Sequence, residues 1–138
     1  MPARDIFHKA VRNALVRSGW VITHDPLHID FGGFDFYIDL GAETLIGASQ
    51  DGKQIAVEVK SFAGASSLSE FHGAVGQFVN YRLVLNRSEP DRILYLAVAE
   101  FAYKSLFGTE FGQLAVEEHR LKLVIFDEKQ ESITQWIE

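Results

Sequence analysis

Apolar residues recur at three- and four-residue spacing over residues 5–18, where Ile6, Phe7, Ala10, Val11, Ala14 and Leu15 make one stripe and predict a helix. Gly19 follows, suited to the left-handed conformation in which many helices end. Residues 20–23 have strand composition, and Asp25-Pro26 breaks them off. Residues 29–36 are extended, with a turn or bulge at Gly32-Gly33. From Phe34 the alternation is regular: Phe36, Ile38 and Leu40 fall on one side, Asp35, Tyr37 and Asp39 on the other. A continuation of that strand through Ile46 is open to it. Gln50-Asp51-Gly52-Lys53 predicts a tight type I′ hairpin, because Asp-Gly accepts positive φ angles. Residues 55–62 return as the next strand.

Ser67 with Glu70 three residues later is a capping-box pattern, so a second helix is expected to start there and run to Leu85. It should bury Leu68, Phe71, Val75, Phe78, Val79 and Leu83, or a subset of them. Pro90-Asp91 precedes a strand at 93–99, and two short helices at 101–107 and 111–119 divide near Gly108-Thr109. Residues 121–126 and 132–137 close the chain as a strand pair. This order predicts a single α/β domain over residues 1–138, a mixed central sheet flanked by helices. The passage from 55–62 through the long helix to 93–99 is a βαβ unit, expected to be right-handed.

Composition narrows the chemistry. The chain has no cysteine, which removes disulfides, thiolate metal sites and a Cys nucleophile. No stretch approaches the ~18 consecutive apolar residues of a membrane span, and the N-terminus lacks the apolar core of a signal peptide. A soluble cytoplasmic protein is expected. The net charge is −6 and no Lys/Arg run is present. Unaided binding to DNA is therefore disfavoured, because phosphate neutralisation supplies most of that affinity; a local basic face or a partner has to supply the charge.

Within 55–62 the even positions hold Ala56, Glu58, Lys60 and Phe62, so Glu58 and Lys60 share a face. A carboxylate beside an ammonium, in the middle of an apolar strand, suits metal-assisted phosphodiester hydrolysis. The carboxylate would hold Mg²⁺, with Mn²⁺ as a substitute, and the Val59 carbonyl would add an oxygen. Lys60 would orient the attacking water and offset developing charge. A second acid is required. Counting back from a two-residue Asp51-Gly52 turn places Glu43 opposite Lys60 and diagonal to Glu58, within the ~7–8 Å reach of same-face neighbours. Asp39 has the same parity but lies about 13 Å further along the strand. Glu43 opposite Lys60 is equally readable as a plain cross-strand ion pair.

Gln77 and Tyr81 stand four apart and share a helix face. A Gln-x-x-x-Tyr helix after a Glu-x-Lys strand resembles the arrangement in RecB-like nucleases, where it borders the active site. The histidines are less informative. Asp5 with His8 makes an i,i+3 pair, His24 and His28 flank Asp25-Pro26, and His72 and His119 have no local partner in sequence.

Longer phrases carry a closer resemblance. Ala3-Arg4-Asp5-Ile6-Phe7-His8, the run 19–26, Asp39-Leu40-Gly41-Ala42-Glu43 and the strand 55–62 are similar to the cyanobacterial XisH family. So are Gly76-Gln77 through Tyr81-Arg82, Phe111-Gly112-Gln113-Leu114 and Gln135-Trp136-Ile137. XisH proteins are named fdxN element excision controlling factors and are implicated in programmed DNA rearrangement. The resemblance implies a restriction-endonuclease-like PD-(D/E)xK fold, acting beside a recombinase and the small partner XisI. DNA is then a partner, alone or through a complex, and a homodimer is left open. In that pattern Glu58, Lys60, Gln77 and Tyr81 are the site residues, with the metal on Glu58 and either Asp39 or Glu43. No Pro-Asp precedes the second acid. Three functions are consistent with these residues: a Mg²⁺-dependent DNA endonuclease, a non-catalytic accessory factor of nuclease fold, and a toxin-like nuclease restrained by a partner.

Overall fold

In the computed structural model, which describes residues 5–44, 52–63 and 67–138, the first helix is α1 (His8–Arg17). It starts later than the apolar stripe suggests. Ile6 lies before its first turn and is 72% exposed, whereas Val11, Ala14 and Leu15 are buried. Gly19 takes φ +94°, and the chain turns into β1 (Val21–His24). β2 (Leu27–Phe31) and β3 (Phe34–Ile38) form an antiparallel hairpin closed by Gly32 and Gly33 at φ +62° and +86°. Both central residues of the turn need positive φ, which glycine adopts without a Cβ clash.

The long strand expected from Phe34 onward is broken at Asp39. Ile38 pairs with Leu27 in the hairpin, while Leu40 opens β4 (Leu40–Thr44) and pairs with Val57 of β5 (Lys53–Lys60) in the main sheet. Residues two apart on one strand would share a face. Here Ile38 packs among the residues under the second helix, and Leu40 among those under α1. Asp39 occupies the joint between the two sheets.

The second helix is α2 (Ser67–Ser88), and β6 (Arg92–Ala99) follows it. After a short helix α3 (Glu100–Ala102) and a π-helical turn (Tyr103–Phe107) come α4 (Glu110–His119), β7 (Leu123–Asp127) and β8 (Ser132–Ile137). The main sheet runs β1-β4-β5-β6-β7-β8. β5, β6 and β7 are parallel neighbours, and the outer pairings are antiparallel. This is the mixed sheet with flanking helices that the element order predicts.

One face of the sheet is covered by α2 and packs Ala56, Phe71, Phe78, Leu96, Val98 and Leu123; the other lies under α1 and packs Leu15, Val57, Val59, Ala97 and Phe126. Glu58 and Lys60 are in phase with Ala56, so they face the α2 side. α2 buries Phe71, Ala74, Phe78 and Leu85, an i, i+3, i+7, i+14 stripe, and also Val84. Of the six expected candidates Phe71 and Phe78 are thus buried, whereas Leu68, Val79 and Leu83 are exposed.

The β4–β5 register also departs from expectation. Glu43 pairs with Gln54, not Lys60, and Thr44 with Lys53. This register is not the one that a turn centred on Asp51-Gly52 would give; the Gln50-Asp51 part of that hairpin and the continuation through Ile46 lie outside the described residues. Among the described residues no helix is long and apolar enough to cross a membrane.

The Phe111-Gly112-Gln113-Leu114 phrase has a packing reason. Thr109 caps α4 by accepting from the Gly112 N–H at 3.0 Å, and a Cβ on Gly112 would sit 2.3 Å from the Leu106 carbonyl oxygen. Gly112→Ala is expected to destabilise the protein by ~1–3 kcal/mol, because the obstacle is backbone that must shift. A lowered midpoint in urea unfolding with an unchanged slope is the expected reading; an unaltered midpoint would refute the close approach.

Candidate active site

Antiparallel pairing of β4 with β5 stops at Leu40–Val57. Beyond it, side chains take over the edge of β5. The Val59 N–H donates to Asp39 Oδ2 at 2.7 Å, and the Ser61 N–H donates to Asp5 Oδ2 at 2.9 Å. Alternate N–H groups of a strand face the same edge, so the two carboxylates continue a ladder that β4 has left. The Asp39 N–H in turn donates to Glu58 Oε1 at 3.2 Å. Backbone bonds in both directions thus lock Asp39 beside Glu58.

Glu58 is one of three buried charged or polar residues among those described, 6% exposed. Burial, and after it the negative charge of Asp39, pushes its carboxyl up to about 8, against the opposing pull of Lys60. Burial also raises Asp39, although its hydrogen bond from Val59 favours the ionised form. Lys60 Nζ lies 3.6 Å from Glu58 Oε2 on a side chain about one-third exposed. The ammonium thus lies beside the acid pair while its stem reaches solvent.

The predicted helix face is present. Gln77 Nε2 donates to the Tyr81 hydroxyl at 2.9 Å, and Tyr81 packs edge-on against Phe36 of the hairpin at 6.3 Å. Burial and the nearby Glu58 charge push the Tyr81 hydroxyl up to about 12, so it stays protonated. Gln77 and Lys60 line one cavity of about 490 Å³, together with Asp5, Ser61 and Glu70.

Asp39, Glu58, Lys60, Gln77 and Tyr81 are therefore brought together, and Glu43 is not. Glu43 accepts from Gln54 Nε2 at 3.1 Å and sits 4.0 Å from the Arg92 guanidinium. It stands opposite a residue four positions before Glu58, about 13 Å away at strand rise. Asp5 also enters the site. Its expected partner His8 bonds instead to Asp25 through Nε2 at 2.7 Å, while Asp5 accepts from the Phe7 and Ser61 N–H groups. Its pairing with His8 and its place in the Ala3–His8 phrase are what single it out in the sequence.

The other histidines lie apart. His24 Nδ1 contacts the Thr23 hydroxyl, and His28 bridges to Asp35 and stacks on Tyr37. His72 and His119 line a separate cavity of about 670 Å³ between α2 and α4. No cluster of three or more His, Asp or Glu among the described residues is placed to hold a metal. A cation would accordingly rest on the two carboxylates of Asp39 and Glu58, a backbone oxygen and water. That donor set is all oxygen and fits Mg²⁺ or Mn²⁺. The raised Glu58 carboxyl marks a place where added positive charge is favoured.

A family model described as "XisH protein" matches residues 1–134. The fold is also similar to solved structures. An XisH family protein from Nostoc punctiforme PCC 73102 is 46% identical, with a TM-score of 0.89 over 97% of this chain and 100% of that one. An fdxN element excision controlling factor protein from Anabaena variabilis is likewise 46% identical, with a TM-score of 0.88 over 98% and 100% of the two chains. No curated protein matches.

Proposed function

The chain belongs to the XisH family, and from that footing we propose that it is a cytoplasmic factor in excision of a DNA element, using Asp39, Glu58 and Lys60 as a Mg²⁺-dependent endonuclease site. The observation that carries the reading is the Asp39–Glu58 contact beside Lys60. Two carboxylates share one strand edge, with the Lys60 ammonium next to Glu58.

In this reading Asp39 and Glu58 hold the cation. The Val59 carbonyl adds a ligand, since the N–H and C=O of one strand residue face the same edge and its N–H already meets Asp39. A bound Mg²⁺ supplies Lewis-acid polarisation of the phosphate and lowers the pKa of a coordinated water. Lys60 offsets the negative charge that develops on the phosphoryl oxygens and orients the attacking water. Gln77, steadied by Tyr81, borders the cavity through which the scissile phosphate would enter. At neutral pH Glu58 holds a proton, so loading of the site should release it and tighten as pH rises toward 8.

The test is nicking of supercoiled plasmid by the purified chain, alone and with its XisI-like partner, in Mg²⁺ or Mn²⁺. Metal-dependent nicking is expected, and its absence under both conditions overturns the catalytic reading.

One observation favours a second reading. The net charge of −6 and the lack of any basic run suit a non-catalytic factor that steers the recombinase through a partner. In that case Glu58→Ala, with folding and complex formation intact, leaves excision unchanged.

A further inference from the structure

Away from the acid pair, α2, the end of α4 and the start of β7 bring cations together. Arg82 on α2 donates through Nη1 to the carbonyl oxygens of His119 and Arg120, at 2.8 and 3.0 Å. This ties α2 to the end of α4 and fixes the guanidinium. Arg120 is held in the left-handed region at φ +51°, and Lys122 follows two residues later. Arg82, Arg120 and Lys122 all line a cavity of about 150 Å³ floored by Phe78 and Leu85. No carboxylate lines it, and its fourth cation, Arg92, is already engaged by Glu89 at 2.9 Å.

Among the described residues none of Arg82, Arg120 and Lys122 forms an ion pair with a carboxylate. In a chain of net charge −6 acids are plentiful, so three unneutralised cations around one small cavity stand out. Burial, and the neighbouring Arg120 charge, disfavour the charged form of Arg82. An anion between them would relieve that repulsion. Arg82 has used two of its five N–H donors and can still offer others to an oxyanion. The adjoining larger cavity shares Arg82, Arg120 and Lys122 and adds Glu117 and Glu138, the latter bonded to the Tyr95 hydroxyl. Neither of these carboxylates lines the small cavity.

We propose that Arg82, Arg120 and Lys122 form a binding site for a phosphate group, either free or in a nucleic-acid backbone. The site gathers positive charge locally on a chain of net charge −6, and it stands independently of any cleavage by Asp39 and Glu58.

Inorganic phosphate titrated into the full chain without divalent metal reads the site directly, by amide NMR and by thermal unfolding. A saturable rise in Tm is expected, with shifts at Arg82, Arg120 and Lys122. Arg120→Asn with Lys122→Gln should weaken binding by about tenfold or more, the loss of charge-assisted hydrogen bonds. Asn suits the left-handed backbone at 120, so the variant should fold. Lys129→Gln, a single charge lost from an exposed turn, should leave binding unchanged. No saturable response, or an equal response in the double variant, overturns the proposal. A short DNA oligonucleotide then separates the sources: displacement of phosphate assigns a backbone phosphate, and continued phosphate binding in its presence assigns a free one.

Discussion

Lys60→Ala is expected to reduce metal-dependent nicking on the order of 100- to 1000-fold while the protein still folds. The side chain ends β5 with about one-third of its surface exposed, so truncation opens no core cavity. Its ammonium lies 3.6 Å from Glu58 Oε2. Removing it acts twice. It takes away the charge that meets the developing phosphoryl anion, and it removes the influence that favours ionised Glu58. The variant's activity should therefore recover in part at higher pH, as more Glu58 becomes available to hold the cation. Lys60→Arg keeps the charge in another geometry and should fall between. Initial rates on supercoiled plasmid, with circular dichroism as the folding control, measure this. Parent-like nicking by Lys60→Ala would remove Lys60 from the proposed chemistry.

Glu58→Gln is expected to make the metal-free protein more stable than the parent at pH 8, by a few kcal/mol. The folded Glu58 carboxyl titrates near 8, above its ordinary 4.5. The folded state thus binds that proton more tightly than the unfolded chain does. Its stabilising contribution is complete below pH 4.5 and is lost as pH rises toward 8. Asp39, raised in the same direction, steepens the loss. Gln keeps the shape and an oxygen for the Asp39 N–H without acquiring charge. Parent stability should accordingly fall between pH 5 and 8, and the Gln variant should show a shallower slope. Mg²⁺ should raise the parent's Tm at pH 8 and leave the variant's unchanged, since only ionised Glu58 would hold the cation. Urea unfolding across the pH range tests the slope; a parent that gains stability with rising pH contradicts the buried acid pair.

These predictions concern residues that differ in how legible they were in the sequence. Period-two alternation places Glu58 and Lys60 on one face, and the structure agrees because β5 is regular from Lys53 to Lys60. The four-residue spacing of Gln77 and Tyr81 carried over as a direct hydrogen bond. The carboxylate that lies beside Glu58 is less legible. Counting register from an Asp51-Gly52 turn selects Glu43, but Glu43 pairs with Gln54 rather than Lys60, and a strand pairing inherits any error in its turn. The kink at Asp39 was hidden because Phe36, Ile38 and Leu40 keep an unbroken alternation; only tertiary packing sends Ile38 and Leu40 to opposite faces. Asp5 caps Ser61 from 56 residues away, a distance no local pattern spans. The Arg82–Arg120–Lys122 cluster was hidden for the same reason, being assembled from α2 and the α4–β7 junction.

The central claim is that Asp39 and Glu58 together hold a divalent cation. Crystals of the metal-free protein soaked in Mn²⁺ near pH 8 test it most directly, by anomalous scattering. The account predicts one peak bridging the two carboxylates within about 2.0–2.3 Å of oxygen ligands, with the Asp39–Glu58 hydrogen bond rearranged. A peak at Glu43, or an empty pair with the Asp39 N–H still bonded to Glu58 at saturating Mn²⁺, would contradict it.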